Sequence, residues 1–295
     1  MKNKSTAVAQ NPIARSRAIT RSPDLSLPRS RAMTAITRSS TPALVAYVTC
    51  GDPDIKTTRE IVLSAIRSGA DVIELGVPFS DPVADGPVIQ RASERALRHN
   101  TSLEDVLHLA ADVRKESDAA LVVFSYLNPI LRFGLERFCA EAARSGVDAA
   151  LITDLTVEEA GEYRRLMEVH GLDTIFLAAP TSPDARLKAI AQACQGFVYA
   201  VSRTGVTGTQ QQLAGDARGL VQRIRKYTKL PVAVGFGISN ADQFRQVGSF
   251  ADAAAVGSAI VQAIEQNPGQ EPKAVAELIT ALKQGAGQIL KSRTE

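Results

Sequence analysis

From residue 43 onward the chain alternates between two patterns. Short runs of consecutive apolar, often β-branched residues give way to longer stretches whose apolar positions recur every three or four residues. The first pattern marks strands buried on both faces, and the second marks amphipathic helices. It predicts strands at 43–49 (ALVAYVT), 71–75 (DVIEL), 120–125 (ALVVFS), 148–153 (DAALIT), 173–178 (DTIFLA), 196–201 (GFVYAV), 231–235 (PVAVG) and 252–256 (DAAAV). Helical stretches such as TTREIVLSAIRSG, LERFCAEAARSG and VEEAGEYRRLMEVHG lie between them, and each ends on a glycine suited to a left-handed C-cap. Eight βα units in about 250 residues predict one α/β domain, a (β/α)8 TIM barrel spanning 41–295. A doubly wound open sheet is the alternative, but it would bring fewer strands or a second domain, and no linker composition interrupts 41–267.

Residues 1–40 are different. They are rich in Ser, Thr, Arg and Ala, carry prolines at 12, 23 and 28, and show no sustained periodicity, which predicts a disordered, dispensable basic tail. This segment holds eight Lys or Arg and one Asp, leaving 26 basic against 30 acidic residues in the rest, a net of −4. Its basic, acid-poor character resembles an organellar transit peptide. A bacterial extension or a misplaced start is the simpler account, so the expected location is the cytoplasm, with organelle import left open.

The body has no excess of positive charge with which to hold a nucleic acid, and no run of 18 apolar residues that would predict a membrane span. Cys50, Cys139 and Cys194 are widely spaced, which fits free thiols in a reducing compartment better than a disulfide framework or a zinc site. His99, His108 and His170 fall in helical stretches or at helix ends, apart from other candidate ligands, so no metal site is expected.

The chemistry gathers after the second predicted strand, in ELGVPFSDPVADGP, residues 74–87. A carboxylate inside a buried strand is costly unless it is paired or used. Glu74 could pair with an arginine across the barrel, and the Asp/Pro/Gly cluster behind it could be a plain turn. In such barrels, however, active sites form where the strands' C-terminal ends meet their loops. Glu74 lies at that end, Asp85 in the loop that follows, Asn128 after strand three and Asp154 after strand four. Three glycine-bearing turns, SRTGVTGT (202–209), GFGIS (235–239) and VGSAI (256–260), follow the last three strands. Their N–H groups could cradle a phosphate at helix starts, and the first is long enough to close as a lid. Two acids beside a phosphate site suggest acid–base catalysis. No lysine follows a strand to act as a Schiff base, so a carbon–carbon cleavage would need its electron sink in the substrate.

ELGVPFSDPVADGPVIQ, preceded by AYVTCGDPD and followed by SYLNPI, SRTGVTG, GFGIS and VGSAIV, closely resembles the tryptophan synthase alpha chain family over residues 41–267. The resemblance implies a barrel that cleaves indole-3-glycerol phosphate into indole and glyceraldehyde 3-phosphate. Glu74 would be the acid/base at indole C3 and the glycerol hydroxyl, and Asp85 would accept or stabilise the proton on the indole nitrogen. The phosphate would meet Gly208, Phe236, Gly237, Gly257 and Ser258. The indole would lie among Tyr47, Ile89, Phe124, Leu151 and Leu177, with Tyr199 near the glycerol phosphate and Thr207 closing toward Asp85. No cofactor is expected on this chain. A beta chain carrying pyridoxal phosphate would receive the indole in an alpha-beta-beta-alpha assembly, facing SDPVADG, SYLNPI and DLTVEE. Two other readings of the same residues are a stand-alone lyase that frees indole, and an idle barrel that only activates a beta chain. Three departures from the family pattern stand out. Tyr47 replaces the usual Phe, DLTVEE replaces DLPPEE, and the family's N-terminal helix is not visible in RSRAMTAITRSS.

Overall fold

Among the described residues, nine parallel strands form one sheet whose two ends meet in a single segment of chain. A computed structural model describes residues 30–39, 42–201, 210–235 and 237–292. The strands are β1 (Ala43–Thr49), β2 (Val72–Gly76), β3 (Ala120–Ser125), β4 (Ala149–Ile152), β5 (Asp173–Ile175), β6 (Leu177–Ala178), β7 (Val198–Val201), β8 (Val232–Gly235) and β9 (Ala253–Val256). Their order is β5-β4-β3-β2-β1-β9-β8-β7-β6. The predicted strand 173–178 is therefore two. Its first half pairs with β4 and its second with β7, and the ring closes through Phe176, whose carbonyl accepts the Tyr199 N–H at 3.2 Å. The result is the eight-unit barrel that the alternation predicts. The helix expected from 157 begins later, at Gly161, after a run of turns.

Alternate residues along each strand point into the barrel or out toward the helices. Val45, Val72, Val122, Leu151, Ile175 and Phe197 fill the interior together with a set of alanines that includes Ala233, Ala253 and Ala255. The outward set, among them Leu44, Val48, Ile73, Leu75, Leu121 and Val123, packs under the helices. Small residues on β8 and β9 leave space for the larger ones opposite, because a narrow barrel has little interior volume.

Asp71, Asp148 and Asp252 repeat one arrangement at the barrel bottom. Each stands just before a strand and accepts the N–H of Leu44, Leu121 or Val232, near the start of the neighbouring strand, at 2.7, 2.9 and 2.8 Å. Lys283, Arg114 and Arg225 neutralise them at 2.7, 2.7 and 3.0 Å. Asp173 opens β5 at the same end of the barrel, and its Oδ2 has no hydrogen-bond partner among the described residues. Burial pushes its carboxyl up to about 6, and a hydrogen bond with the Ser30 side chain partly offsets this.

Ser30 starts an element that the sequence reading missed. Residues 31–38, expected to belong to the disordered tail, form the helix Arg31–Arg38, with the Ser30 hydroxyl accepting the Met33 N–H at 3.1 Å. Ala32 and Ile36, four residues apart on one face, are buried in the interior cluster with Ala43, Val45, Val72 and Ala120. Arg31 reaches Asp148 at 3.2 Å. The helix closes the barrel bottom, and its N-cap Ser30 is the first described residue. At eight residues among Ser, Thr and Arg, its apolar face is too short to register as a period. The part of the tail expectation that falls on 1–29 lies outside the described residues.

Candidate active site

Glu74 is the third residue of β2, paired in register with Tyr47 on β1 and Val122 on β3. Its side chain points inward near the C-terminal end of the strand and is 1% exposed. No arginine meets it, so the structural pairing allowed by the sequence is absent among the described residues. Oε1 is buried without a hydrogen-bond partner among the described residues, and burial raises the carboxyl to about 8. At neutral pH this group is an acid that holds its proton.

Asp85 sits half-buried in the loop behind β2, just ahead of the helix Pro87–Arg98. Pro82 and Gly86 shape the turn: the Asp85 N–H reaches the Pro82 carbonyl at 3.0 Å, and the Gln90 side-chain amide holds the Asp85 carbonyl at 2.9 Å. Tyr126, directly after β3, donates its hydroxyl proton to Asp85 Oδ2 at 3.1 Å. Burial raises the Asp85 carboxyl to about 6, and the Tyr126 hydrogen bond works against the rise. The two carboxyls are thus set apart, one ionised and one protonated between about pH 6 and 8.

The expected pocket residues fall into two groups that share Phe124. Tyr47 packs with Ala92 and Val261, and Val88, Ile89 and Phe124 lie against them. The Tyr47 and Phe124 rings meet edge to face, 5.2 Å apart. Leu151 is fully buried in the barrel interior, in register with Phe124 on β3, and Phe124, Leu177 and Tyr199 pack against that interior cluster. Both tyrosine rings lie across a glycine of the next strand. A side chain at Gly76 would collide with the Tyr47 ring, and one at Gly235 would come within 2.7 Å of the Tyr199 hydroxyl.

Beside Tyr47, at the end of the neighbouring strand β9, Gly257 caps the helix Ser258–Gln266, whose first N–H groups take no side-chain cap and so can face an anion. Gly237 has φ +76°, and a Cβ there would meet no atom of the described residues within 4 Å. This is open space beside left-handed backbone, which suits the close approach of a ligand. Thr207, Gly208, Phe236 and the rest of 202–209 lie outside the described residues. Asp154 Oδ1 accepts the Leu127 N–H at 2.7 Å and so holds the helix Leu127–Phe133. Asn128 is exposed on that same helix. Among the described residues no group of three or more His, Cys, Asp or Glu could hold a metal, and all three cysteines are free and buried.

Sequence reasoning missed Tyr126 and Thr49. Both stand where β3 or β1 gives way to its loop. An aromatic or hydroxyl residue at that end of a barrel strand was the available signal.

Fold and geometry together define a class: an acid–base enzyme built on a (β/α)8 barrel. Comparison with known proteins narrows it. The chain belongs to the tryptophan synthase alpha chain family, whose model matches residues 33–289, from within the helix Arg31–Arg38 almost to the end of the last helix. A tryptophan synthase alpha chain of Solibacter usitatus (strain Ellin6076) is 52% identical over 237 residues, 80% of this chain and 89% of the relative. That of Neisseria meningitidis serogroup B (strain ATCC BAA-335 / MC58) is 47% identical over 242 residues, covering 82% and 93%. Among solved structures, the tryptophan synthase alpha subunit of Legionella pneumophila str. Paris superposes with a TM-score of 0.81 at 33% identity, covering 88% of this chain and 99% of that one. A Mycobacterium tuberculosis tryptophan synthase chain gives 0.81 at 35% identity, with the same coverage.

Proposed function

We propose that Glu74 and Asp85 carry out in this chain the lyase reaction of its family, the cleavage of indole-3-glycerol phosphate to indole and glyceraldehyde 3-phosphate. The observation that carries this reading is the Glu74 carboxyl: buried, unpartnered at Oε1, and held near 8 on a rigid strand. Glu74 gives its proton to indole C3, which turns the ring into an iminium-like electron sink. The resulting carboxylate then takes the proton of the hydroxyl on the carbon attached to the ring. As that oxygen becomes a carbonyl, the carbon–carbon bond breaks and its electron pair restores the aromatic ring. Glu74 ends as it began, protonated. Asp85, ionised above about pH 6, receives the indole N–H and stabilises the positive charge that develops there. The ring supplies the sink, so neither lysine nor metal has a part in the step.

The indole fits among Tyr47, Ile89, Phe124, Leu151 and Leu177, with Tyr199 beside the glycerol chain. The phosphate takes the N–H groups at Gly237, Gly257 and Ser258, joined by Gly208 and Phe236, and Thr207 closes over Asp85. A beta chain carrying pyridoxal phosphate is the partner in this reading, in an alpha-beta-beta-alpha assembly. Val83 in SDPVADG is 86% exposed and Leu131, following SYLNPI, is 55% exposed, which supports an apolar contact on that face. Three buried free thiols support a reducing compartment such as the cytoplasm. No helix among the described residues is long and apolar enough to cross a membrane.

The test is release of indole from indole-3-glycerol phosphate by the purified chain, alone and with a beta chain. Slow release alone and faster release with the partner is the expected result. No release under either condition would overturn the reading.

A further inference from the structure

Two helices at the C-terminal end of the strands each begin at a part of the site. Pro87–Arg98 starts just after Asp85, and Ser258–Gln266 starts at Gly257, where the phosphate would lie. They pack on each other and on β1. Ala92 from the first and Val261 from the second are fully buried in one cluster with Tyr47. Beside this apolar seam runs a charged one. Arg91 and Arg95, four residues apart and so on one face of the first helix, both reach Glu265 on the second. Arg91 Nε and Nη2 donate to Glu265 Oε1 and Oε2 at 2.9 and 2.7 Å, and Arg95 Nη1 donates to Oε1 at 2.7 Å. Arg95 turns its other edge to Asp52 in the loop after β1, with Nε at 2.7 Å from Oδ1 and Nη2 at 2.8 Å from Oδ2.

An exposed ion pair usually does little, because water screens it and two long side chains must be held still. Here the geometry is stricter. Asp52 is 2% exposed, and Arg95 meets it with two parallel bonds, which fix an angle as well as a distance. That guanidinium is therefore already held in place when it reaches Glu265. Arg91 adds a second two-pronged contact, so both oxygens of Glu265 are engaged. The hydrogen bond from Arg91, and after it the one from Arg95, holds the Glu265 carboxyl down at about 2, and the clasp stays charged throughout the working range.

We propose that Glu265 is a positioning residue: through Arg91 and Arg95 it ties the helix at the phosphate site to the helix behind Asp85, so that phosphate held at Gly257 and Ser258 fixes the loop that presents Asp85. This rests on the phosphate and Asp85 assignments above. The phosphate takes no part in the bond cleavage. Contacts remote from the reacting bond raise turnover only where their binding energy places the groups that react. Glu74 needs no such help, because β2 carries it. Asp85 lies in a loop, and its Gln90 and Tyr126 hydrogen bonds hold it within that corner of the site. The clasp at Glu265 refers the corner to the bound phosphate. One acid is thus placed by its strand and the other by the substrate.

The experiment follows backbone amide resonances of the full chain as glycerol 3-phosphate is added. In wild type, Ser258 and Ala259 should shift on binding, and Asp85, Gly86 and Ile89 should shift with them. Replacing Arg95 would strand the buried Asp52 charge and weaken the fold. Glu265→Met instead removes the acceptor and leaves Arg95 on Asp52, so the fold is retained. In that variant Ser258 and Ala259 should still shift, while the shifts at Asp85, Gly86 and Ile89 should drop by about half or more at saturation. Glu265→Gln, which keeps the size and one acceptor oxygen, should show the same loss at smaller amplitude. Turnover gives a second readout. In Glu265→Met, kcat should fall about tenfold while KM stays within about threefold, because the phosphate still binds but no longer places Asp85. Undiminished shifts at Asp85 and Gly86 in Glu265→Met would overturn the proposal and leave the phosphate site standing. A wild type in which Ser258 does not respond would remove the phosphate assignment, and the proposal with it.

Discussion

Tyr126 holds Asp85. Its hydroxyl donates to Asp85 Oδ2 at 3.1 Å and accepts the Ala84 N–H at 2.9 Å, so one phenol at the end of β3 fixes both the loop backbone and the carboxylate it presents. The Tyr126 ring is itself braced by Phe79, 5.1 Å away.

Tyr126→Phe keeps that ring contact and removes both hydrogen bonds. The bond to Asp85 lowers its carboxyl, so its loss should raise the group further above about 6 and move the acid limb of the activity profile to higher pH. The catalytic efficiency kcat/KM should fall about tenfold, the size of one hydrogen bond to an ionised group. A pH–rate profile of the variant checks this, and the alkaline limb should stay where it is.

The same burial that readies Glu74 as an acid costs stability. Folding raises its carboxyl from 4.5 to about 8, so between those values the folded state binds a proton that the unfolded state has lost. Stability therefore falls as pH rises through this window and levels off above about 8. Glu74→Gln removes the titration. Relative to wild type, its stabilising effect should grow with pH between about 5 and 8, reaching a few kcal/mol, since each unit is about 1.4 kcal/mol. Denaturant midpoints of the two proteins at pH 5 and pH 8 measure it.

The N-terminal helix should matter to folding. Ile36 is 3% exposed at the barrel bottom, and Ile36→Ala should cost about 2–5 kcal/mol. Deletion of residues 1–38 should cost more, since it also removes Ala32 and the Ser30 cap; thermal melts of both variants decide this. An unstructured tail through residue 40 would make both changes neutral.

Much of the barrel was legible because its strands are apolar on both faces, which leaves β1, β2 and β3 as unbroken runs within a residue of their observed ends. What was hidden depends on partners distant in sequence. The split at Phe176 arises because β4 and β7 claim opposite halves of one run, and nothing local marks where the claim changes. The helix Arg31–Arg38 was hidden because it takes its stability from the barrel bottom rather than from its own pattern. At the site, Glu74 was legible as an acid in an apolar strand, and Asp85 by its Gly/Pro loop. Tyr126 was not, since its role comes from how the loop folds back over β3. Gly76 and Gly235 read as strand ends, although each also makes room for a tyrosine.

The central claim is that the buried proton of Glu74 does the chemistry, and Glu74→Gln tests it most directly. Glutamine keeps the shape of the side chain and cannot exchange a proton. General acid–base groups contribute about 10²–10⁴-fold, and Glu74 serves both the protonation of C3 and the deprotonation of the hydroxyl. Turnover of indole-3-glycerol phosphate by the variant, measured beside its affinity for an analogue that lacks the reacting hydroxyl, separates chemistry from binding. The expected result is a turnover reduced by at least about 10³-fold with the analogue bound as tightly as by wild type. A variant that keeps turnover within about tenfold of wild type would contradict the account, and the acid would have to be sought elsewhere in the barrel mouth.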